Sequence, residues 1–204
     1  MNSLRLINGT PLRDGVPENI LDAKTREELR EWLSRHHSSE KECYVSCSRG
    51  SPPKDGSLWY VDVVEEAICF GWIDSTLKPI DGKLYNRLSP RRRNSHWSEL
   101  NKERARRMES LGLMTDAGRA ALPDMTTDIE VLFPDIVAIL RQNPDVWHNL
   151  RGFPEAYVRI RLDGIEWERR NHPENDSNPR LEKFIEETRK DRMYGAWNDC
   201  GRLG

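Results

Sequence analysis

The chain has 204 residues, of which 36% are hydrophobic and 32% are charged, and its formal net charge is −2. A chain of this length suits one domain with an appended helical part, or two small domains that share a core, and it buries enough surface to fold without disulfides or structural metals. Its nearly balanced charge gives no general reason to bind nucleic acid or a membrane surface. No segment approaches the roughly 20 apolar residues of a transmembrane helix, and the N-terminus lacks the apolar run of a signal peptide. We therefore expect a cytoplasmic protein without membrane insertion.

The N-terminal part of the chain carries the signals of an α+β unit. Residues 1–21 contain Pro and Gly at intervals and predict an extended arm. Thr25 followed by Glu28 predicts the start of a helix with a capping box. Residues 42–48 alternate in polarity, which is typical of a strand.

A second helix and a hairpin are predicted to follow. Asp62 is the expected N-terminal cap of the helix, and Gly71 is its expected end. Asp-Gly at positions 81 and 82 suits a tight type I′ turn. We therefore predict a hairpin whose strands are residues 72–80 and 83–89.

The remainder of the chain predicts helices. Residues 98–111 and 115–122 have helical periodicity. Proline, which is tolerated in the first turn of a helix, marks the start of four later segments. These predicted helices are residues 134–142, 144–151, 155–170 and 179–191.

The predicted fold class is α+β, with a small antiparallel sheet and N-terminal helices followed by a C-terminal helical part. The predicted divisions are an N-terminal arm (residues 1–21), an α+β core unit (22–122) and a C-terminal helical part (123–204) that packs on the core.

Two long segments resemble the signature sequences of a known family. These are WYVDVVEEAICFGWIDS (residues 59–75) and SPRRRNSHWSELNKERARRMESLGLMTDAG (residues 89–118), preceded by the similar PENILDAKTREELREWLSRHH. They look like segments of the YdeI/OmpD-associated (bacteriocin-protection) family, and the resemblance covers residues 17–120. It implies an α+β fold loosely grouped with YjbR/CyaY-like proteins and a link to protection against antimicrobial peptides. It supplies no catalytic residues.

The hairpin provides the first candidate ligand-binding residues. With a two-residue turn, the expected cross-strand pairs are Trp72 with Arg91, Asp74 with Ser89, Thr76 with Arg87, and Lys78 with Tyr85. Side chains alternate between faces along a strand. One face is therefore expected to hold Trp72, Asp74, Arg87 and Arg91. Arginine binds carboxylate and phosphate through a planar fork, so this face suits a small anionic or peptide-like ligand. The alternative is an exposed face on which Asp74 only pairs with Arg87.

The helix after the hairpin extends the candidate site. Trp97 begins an apolar stripe, and Asn101 lies on the same side one turn later. A polar group on an apolar stripe needs a partner. Asn101 is therefore expected either to tie the helix to a neighbouring backbone or to line a pocket with Trp97.

A basic stretch runs through the same region. Residues 87–107 contain eight basic and two acidic side chains, which gives a local charge of +6. With Tyr85 and Trp97 nearby, this stretch could follow a phosphate backbone and stack a base. No nucleic-acid-binding motif accompanies it, so the alternative is a solvated surface, and no specific nucleic-acid binding is expected.

No cofactor or metal is expected. Cys43 and Cys47 are about 13 Å apart on an extended strand, too far to share one zinc ion. The five histidines show no metal-binding spacing, and the chain has no phosphate loop and no GxSxG motif. The four cysteines are expected to be free thiols.

Three functions remain open from the sequence. The first is a non-enzymatic binding protein that supports tolerance of antimicrobial peptides or envelope stress, as the resemblance implies. The second is an enzyme acting on a small anionic substrate at the Trp72/Asp74/Arg87/Arg91 face, with Asp74 or Glu66 as the base. The third is a weak nucleic-acid binder acting through residues 87–107.

Overall fold

A computed structural model of the chain describes residues 6–7, 10–11, 17–175 and 177–203. Its contacts divide the chain into two units. Unit 1 comprises Met1–Ser95 with Arg107–Leu122, and unit 2 comprises His96–Arg106 with Pro123–Gly204. The fold class is α+β, as predicted, and the sheet lies in the N-terminal half. Much of the predicted N-terminal arm lies outside the described residues.

Unit 1 contains a four-stranded sheet beside the short antiparallel pair β1 (Leu6–Ile7) and β2 (Thr10–Pro11). The four strands lie in the order β3-β4-β6-β5. They are β3 (Ile20–Leu21), β4 (Cys43–Val45), β5 (Trp72–Ile80) and β6 (Lys83–Pro90). The sheet is mixed, whereas a purely antiparallel sheet was predicted, because β3 runs parallel to β4. A helix lies between these two strands in sequence, and such a crossover lets the chain return in the same direction.

Polar side chains cap the starts of two helices of unit 1. Helix α1 (Arg26–His36) begins after Thr25, whose hydroxyl accepts a hydrogen bond from the Glu28 amide at 3.3 Å. Helix α2 (Tyr60–Cys69) begins after Trp59, so the prediction of Asp62 as the cap was wrong. Asp62 instead lies inside the first turn, where its carboxylate accepts from the Trp59 amide at 3.2 Å.

The hairpin has the predicted turn but not the predicted register throughout. Asp81 and Gly82 have φ angles of 46° and 76°, as a type I′ turn requires, and Lys78 pairs with Tyr85 as predicted. A β-bulge between Asp74 and Leu77 then adds one residue to β5. Beyond the bulge, the predicted pairs were therefore wrong: Trp72 lies opposite Pro90, and Asp74 opposite Leu88.

The bulge sets which residues of β5 and β6 face the core. Cys43, Val45, Trp72 and Leu88 are each at most 1% exposed. They share one face of the sheet. Leu88 lies opposite both Cys43 and Asp74, and Val45 and Trp72 are each two residues along the strand from one of these positions. We call this buried face the inner face, and the opposite side the outer face.

Close backbone contact joins α2 to the short helix α4 (Asp116–Ala120). Gly71 ends α2 with a φ of 72°, as predicted. A Cβ atom on Gly118 would lie 2.3 Å from the Cys69 carbonyl oxygen. The same oxygen accepts from the Thr115 hydroxyl at 2.6 Å. A side chain larger than that of glycine therefore does not fit at position 118 without moving the backbone.

The later helices agree closely with the predictions. Helix α3 (Glu99–Ser110) contributes residues up to Arg106 to unit 2 and the remainder to unit 1. The helices of unit 2 that follow are α5 (Ile129–Leu132), α6 (Pro134–Arg141), α7 (Pro144–Leu150), α8 (Glu155–Asn171) and α9 (Pro179–Arg189). Proline is the first residue of α6, α7 and α9, as the sequence indicated. Their buried side chains form one core that includes Leu140, Tyr157, Leu162 and Phe184.

A network of buried charges holds α1 and the end of α3 against α2. Glu65 and Glu66 have fully buried side chains. Arg26 donates to both carboxylates, at 2.7 Å to Glu65 and 2.6 Å to Glu66. Arg30 bonds the second oxygen of Glu66 at 2.7 Å, and Arg107 bonds the second oxygen of Glu65 at 2.7 Å. Every oxygen of the two carboxylates therefore has a guanidinium partner.

Burial lowers the pKa of Arg26, but the carboxylates of Glu66 and Glu65 outweigh this effect, so its pKa lies above the ordinary value. Arg30 also reaches the Leu113 carbonyl at 2.7 Å. The network consequently ties α1, α2 and the segment after α3 together. Each carboxylate depends on arginines from other elements.

We predict that Glu66→Gln lowers the free energy of unfolding by about 3 kcal/mol or more. An amide leaves the half-buried Arg30 without a carboxylate partner, and it leaves Arg26 with only the carboxylates of Glu65 and Asp62 to compensate its desolvation. Urea denaturation followed by circular dichroism measures the change. The matched control is Glu109→Gln, which removes an exposed partner of Arg119 and is expected to change stability by no more than about 0.5 kcal/mol. Equal effects of the two substitutions would contradict the stabilising role of the network.

Candidate functional site

The structure places Trp72 in the core of unit 1. Its side chain is 1% exposed, and its indole donates to the His37 carbonyl at 3.1 Å. Its ring also packs edge-on against Trp32, with the ring centroids 6.0 Å apart. Trp72 therefore anchors β5 to α1 and is not a surface plate for a ligand.

Arg87 lies on the outer face, away from Trp72 and Asp74. The bulge changes its position relative to β5, so the prediction that it shares their face was wrong. Its guanidinium bonds Glu42 at 2.6 Å and the Ser75 hydroxyl at 3.1 Å. Arg87 thus forms a partly exposed ion pair with Glu42, and not the pair with Asp74 that the alternative interpretation of this face had named.

Asp74 and Arg91 remain associated in unit 1. The Tyr60 hydroxyl donates to Asp74 at 2.7 Å. Arg91 is only partly exposed, and its amide donates to the Gly71 carbonyl at 2.9 Å. Burial lowers the pKa of Arg91 to about 10, and the Asp74 carboxylate opposes this shift. The Asp74 carboxylate thus stabilises the charged form of Arg91.

Trp97 and Asn101 belong to unit 2. Trp97 is 7% exposed. The Asn101 side chain accepts from Arg104 at 2.9 Å, and Arg104 forms a bidentate pair with Asp199 at 2.7 and 2.9 Å. Asn101 therefore contacts a buried ion pair through a side chain of its own helix, which is neither the neighbouring backbone nor the pocket considered for it.

Three polar residues that the sequence did not single out join Asp74 and Tyr60. Arg49 stacks on the Tyr60 ring, with its guanidinium carbon 4.3 Å from the ring centroid, and donates to the Asn86 side-chain oxygen. The Asn86 amide donates to the Cys47 sulfur at 2.9 Å. We call these five residues the Arg49 cluster: Cys47, Arg49, Tyr60, Asp74 and Asn86.

A long-range backbone contact assembles the Arg49 cluster. Ser48 forms a bridge with Trp59, and the Tyr60 amide donates to the Ser48 carbonyl at 2.9 Å. The residues that follow the two bridged positions, Arg49 and Tyr60, are thereby brought together. The loop between them, rich in Gly and Pro, gave no sequence signal of this pairing. The only hint was an arginine at the start of that loop.

Cys47 is a weak candidate for a nucleophile. Burial raises the pKa of its thiol, and the opposing influence of Arg49 does not reverse the shift. The thiol borders a cleft of about 280 Å³ in unit 1. The cleft is also lined by Lys24, Lys83 and three serine hydroxyls. It therefore offers hydrogen-bond donors and positive charge beside the Arg49 cluster.

Most of the basic stretch is engaged in ion pairs within the units. Five of its eight cations bond a carboxylate: Arg87 with Glu42, Lys102 with Glu99, Arg104 with Asp199, Arg106 with Glu103 and Arg107 with Glu65. Arg92 and Arg93 are exposed. Glu99 and Glu103 belong to the stretch itself, so three of its six excess positive charges are paired with carboxylates distant in sequence: Glu42, Asp199 and Glu65.

The described residues contain no group of three or more His, Cys, Asp or Glu side chains arranged to hold a metal ion. The four cysteines are free thiols. Among the helices in the described part of the chain, none has the length and apolar character needed to cross a membrane.

Comparison with known proteins adds one similarity. Residues 21–121 match the model of a family described as a domain of unknown function, DUF8412. The matched segment includes the whole Arg49 cluster. No curated protein and no solved structure matches the chain.

We predict that the thiols of the native protein differ sharply in reactivity. Cys200 is exposed and should react rapidly with a disulfide reagent at pH 8. Cys43 and Cys69 should react only after unfolding, because burial raises their pKa values, that of Cys69 to about 11. The test is absorbance of the released thiolate before and after denaturation. In Cys200→Ser, a remaining fast thiol would show that Cys47 is reactive and would favour thiol chemistry in the Arg49 cluster.

Proposed function

We propose that the protein is a binding protein that takes a small anionic or zwitterionic ligand at the Arg49 cluster. The observation that carries this proposal is how Arg49 is held. Its guanidinium rests on the Tyr60 ring and bonds the neutral side chain of Asn86. Among the described residues, no carboxylate pairs with it. Arg49 is therefore positioned without being neutralised, which leaves its charge available for an anion.

The surroundings of Arg49 favour ligands with more than one polar group. Tyr60 links Arg49 to the Asp74 carboxylate 2.7 Å from its hydroxyl. The Arg49 guanidinium lies over the Tyr60 ring and the Asp74 carboxylate is bonded to its hydroxyl, so a cation and an anion lie close together, as the carboxylate and the ammonium of a zwitterionic amino acid require. The neighbouring cleft adds the ammonium groups of Lys24 and Lys83. Lys24 already pairs with Asp22, so Lys83 is the better second cation for an anionic ligand.

The enzyme alternative has less support in the described residues. Glu66, one of the two bases considered, is fully buried and bonded to Arg26 and Arg30, so no substrate reaches it. Asp74 is accessible but is bonded by Tyr60. Cys47 has a raised pKa. A ligand site without an activated nucleophile or base fits binding better than catalysis.

Nucleic-acid binding through residues 87–107 also has less support, because most cations of that stretch are paired. Any binding would depend on Arg92 and Arg93 with few other contacts. Few phosphate contacts give weak affinity that falls steeply as salt rises.

The biological setting follows from the resemblance to the YdeI/OmpD-associated family. On that basis we propose that ligand binding supports tolerance of antimicrobial peptides or envelope stress from the cytoplasm. A zwitterionic or peptide-like ligand at the Arg49 cluster is compatible with such a role.

We predict that Arg49→Ala weakens binding of the ligand by roughly ten- to hundredfold, the effect of losing one hydrogen bond to a charged group. The experiment is a thermal-shift screen of organic anions, amino acids and short peptides, followed by calorimetric titration of each hit. The matched control is Arg92→Ala, which removes another exposed arginine outside the cluster and should leave affinity unchanged. Equal affinity of wild type and Arg49→Ala for every hit would refute the proposed site.

Asp74→Asn then separates the two ligand classes. For a simple anion, removing the carboxylate removes repulsion, so affinity should rise or stay the same. For a zwitterion, it removes the partner of the ligand's cation, so affinity should fall by about tenfold. Loss of affinity for both classes, together with a lower melting temperature, would show that Asp74 is structural.

A further inference from the structure

A second cleft with unusual charge lies in unit 2. It has a volume of about 400 Å³ and lies among α8, the start of α9 and the segment after α9. Its lining includes three basic side chains and no acidic one: Arg161, Arg180 and Lys183. A larger cleft of about 420 Å³ in the same unit differs in this respect, because Asp128, Glu130 and Glu155 line it beside its arginines.

Two of the three cations keep an uncompensated charge. Arg161 stacks on Tyr157 and Tyr194, at 5.2 and 4.6 Å from the ring centroids, and donates to the Tyr194 carbonyl. Lys183 lies 4.9 Å from the Tyr194 ring. Among the described residues, no carboxylate pairs with either side chain. The third cation, Arg180, is paired with Glu168 at 3.0 Å. The cleft therefore carries a net positive charge of about two units.

The position of Arg161 is fixed by the fold. Tyr194 is held because its amide donates to the Tyr157 hydroxyl at 3.3 Å. A Cβ atom on Gly195, whose φ is 67°, would lie 2.8 Å from a terminal nitrogen of Arg161. The backbone after α9 thus approaches Arg161 closely at a residue without a side chain. Arg161 is therefore oriented by neutral groups, two tyrosine rings and a carbonyl, none of which neutralises its charge.

Two further features favour an anion in this cleft. Burial raises the pKa of the Tyr194 hydroxyl, which therefore stays protonated and able to donate. The first turn of α9, an 11-residue helix, also lines the cleft, and the positive end of its dipole favours negative charge. Asn178 already caps the amides of this turn, so the dipole rather than free N–H groups contributes.

We propose that this cleft binds a small phosphate monoester as its dianion, with Lys183 and Arg161 as the principal contacts and the Tyr194 ring as an apolar wall. A dianion matches the two uncompensated charges, and a volume of about 400 Å³ accommodates a compact organic group with its phosphate. This site belongs to unit 2 and does not depend on the Arg49 cluster of unit 1.

The test is calorimetric titration of the full chain with phenyl phosphate and, separately, with inorganic phosphate, at constant ionic strength set by sodium chloride. We expect both to bind, phenyl phosphate more tightly because its ring packs on Tyr194. Lys183→Ala should weaken binding at least fivefold. Lys190→Ala is the matched control, since it removes another exposed lysine of the same region that pairs with Glu186, and it should bind as wild type does.

A pH series gives a second readout. The second pKa of a phosphate monoester is about 6, so binding should strengthen between pH 5.5 and 7.5 as the dianion forms. Arg161→Lys, which keeps the charge but loses the stacked fork, should weaken binding while leaving this pH dependence unchanged. No binding of either probe, or equal affinity of Lys183→Ala and wild type, would overturn the proposal. Affinity independent of pH would overturn the selectivity for the dianion.

Discussion

Two adjacent buried glutamates impose the main constraint on unit 1. Neighbouring positions of a helix point in different directions, so no single arginine can satisfy all four carboxylate oxygens of Glu65 and Glu66. Arg26 from α1 bridges them, while Arg30 and Arg107 complete one carboxylate each. A buried charge without its partner is costly, so α2 folds only where these arginines arrive together. The constraint therefore specifies how α1, α2 and the end of α3 are arranged.

The consequences of this constraint reach the Arg49 cluster. Helix α2 begins with Tyr60 and ends before Gly71, whose carbonyl accepts from the Arg91 amide. The position of α2 therefore determines the position of Tyr60, whose hydroxyl bonds Asp74 and whose ring contacts Arg49. The ligand site proposed for unit 1 lies at one end of the helix that carries the two buried glutamates. Substitutions in the network of Glu65, Glu66 and their arginines are expected to shift the position of Tyr60.

The sequence predicted local structure well and side-chain partners poorly. Pro134, Pro144 and Pro179 begin helices, and Asp81-Gly82 forms the turn, because these residues act through their own backbone geometry. No residue type in the sequence marks the bulge after Asp74. The bulge shifts the pairing of β5 with β6 by one residue, so Arg87 lies on the outer face. The parallel β3 and the Ser48–Trp59 bridge depend on contacts distant in sequence. For the same reason, the basic stretch appeared to be a charged surface although its partners, such as Asp199 for Arg104, are far along the chain.

The division of α3 between the two units affects how this gene could be shortened or recombined. The family match ends at residue 121, yet His96–Arg106 groups with the C-terminal part of the chain. A fragment ending there would carry Arg104 without Asp199 and Glu99 without Arg159. Glu99 would keep Lys102, but Arg104 would have lost its carboxylate partner in the middle of the matched segment. Exchanging the C-terminal part for an unrelated sequence would require compensating changes within α3. The segment that must be inherited together is therefore longer than the segment that matches the family.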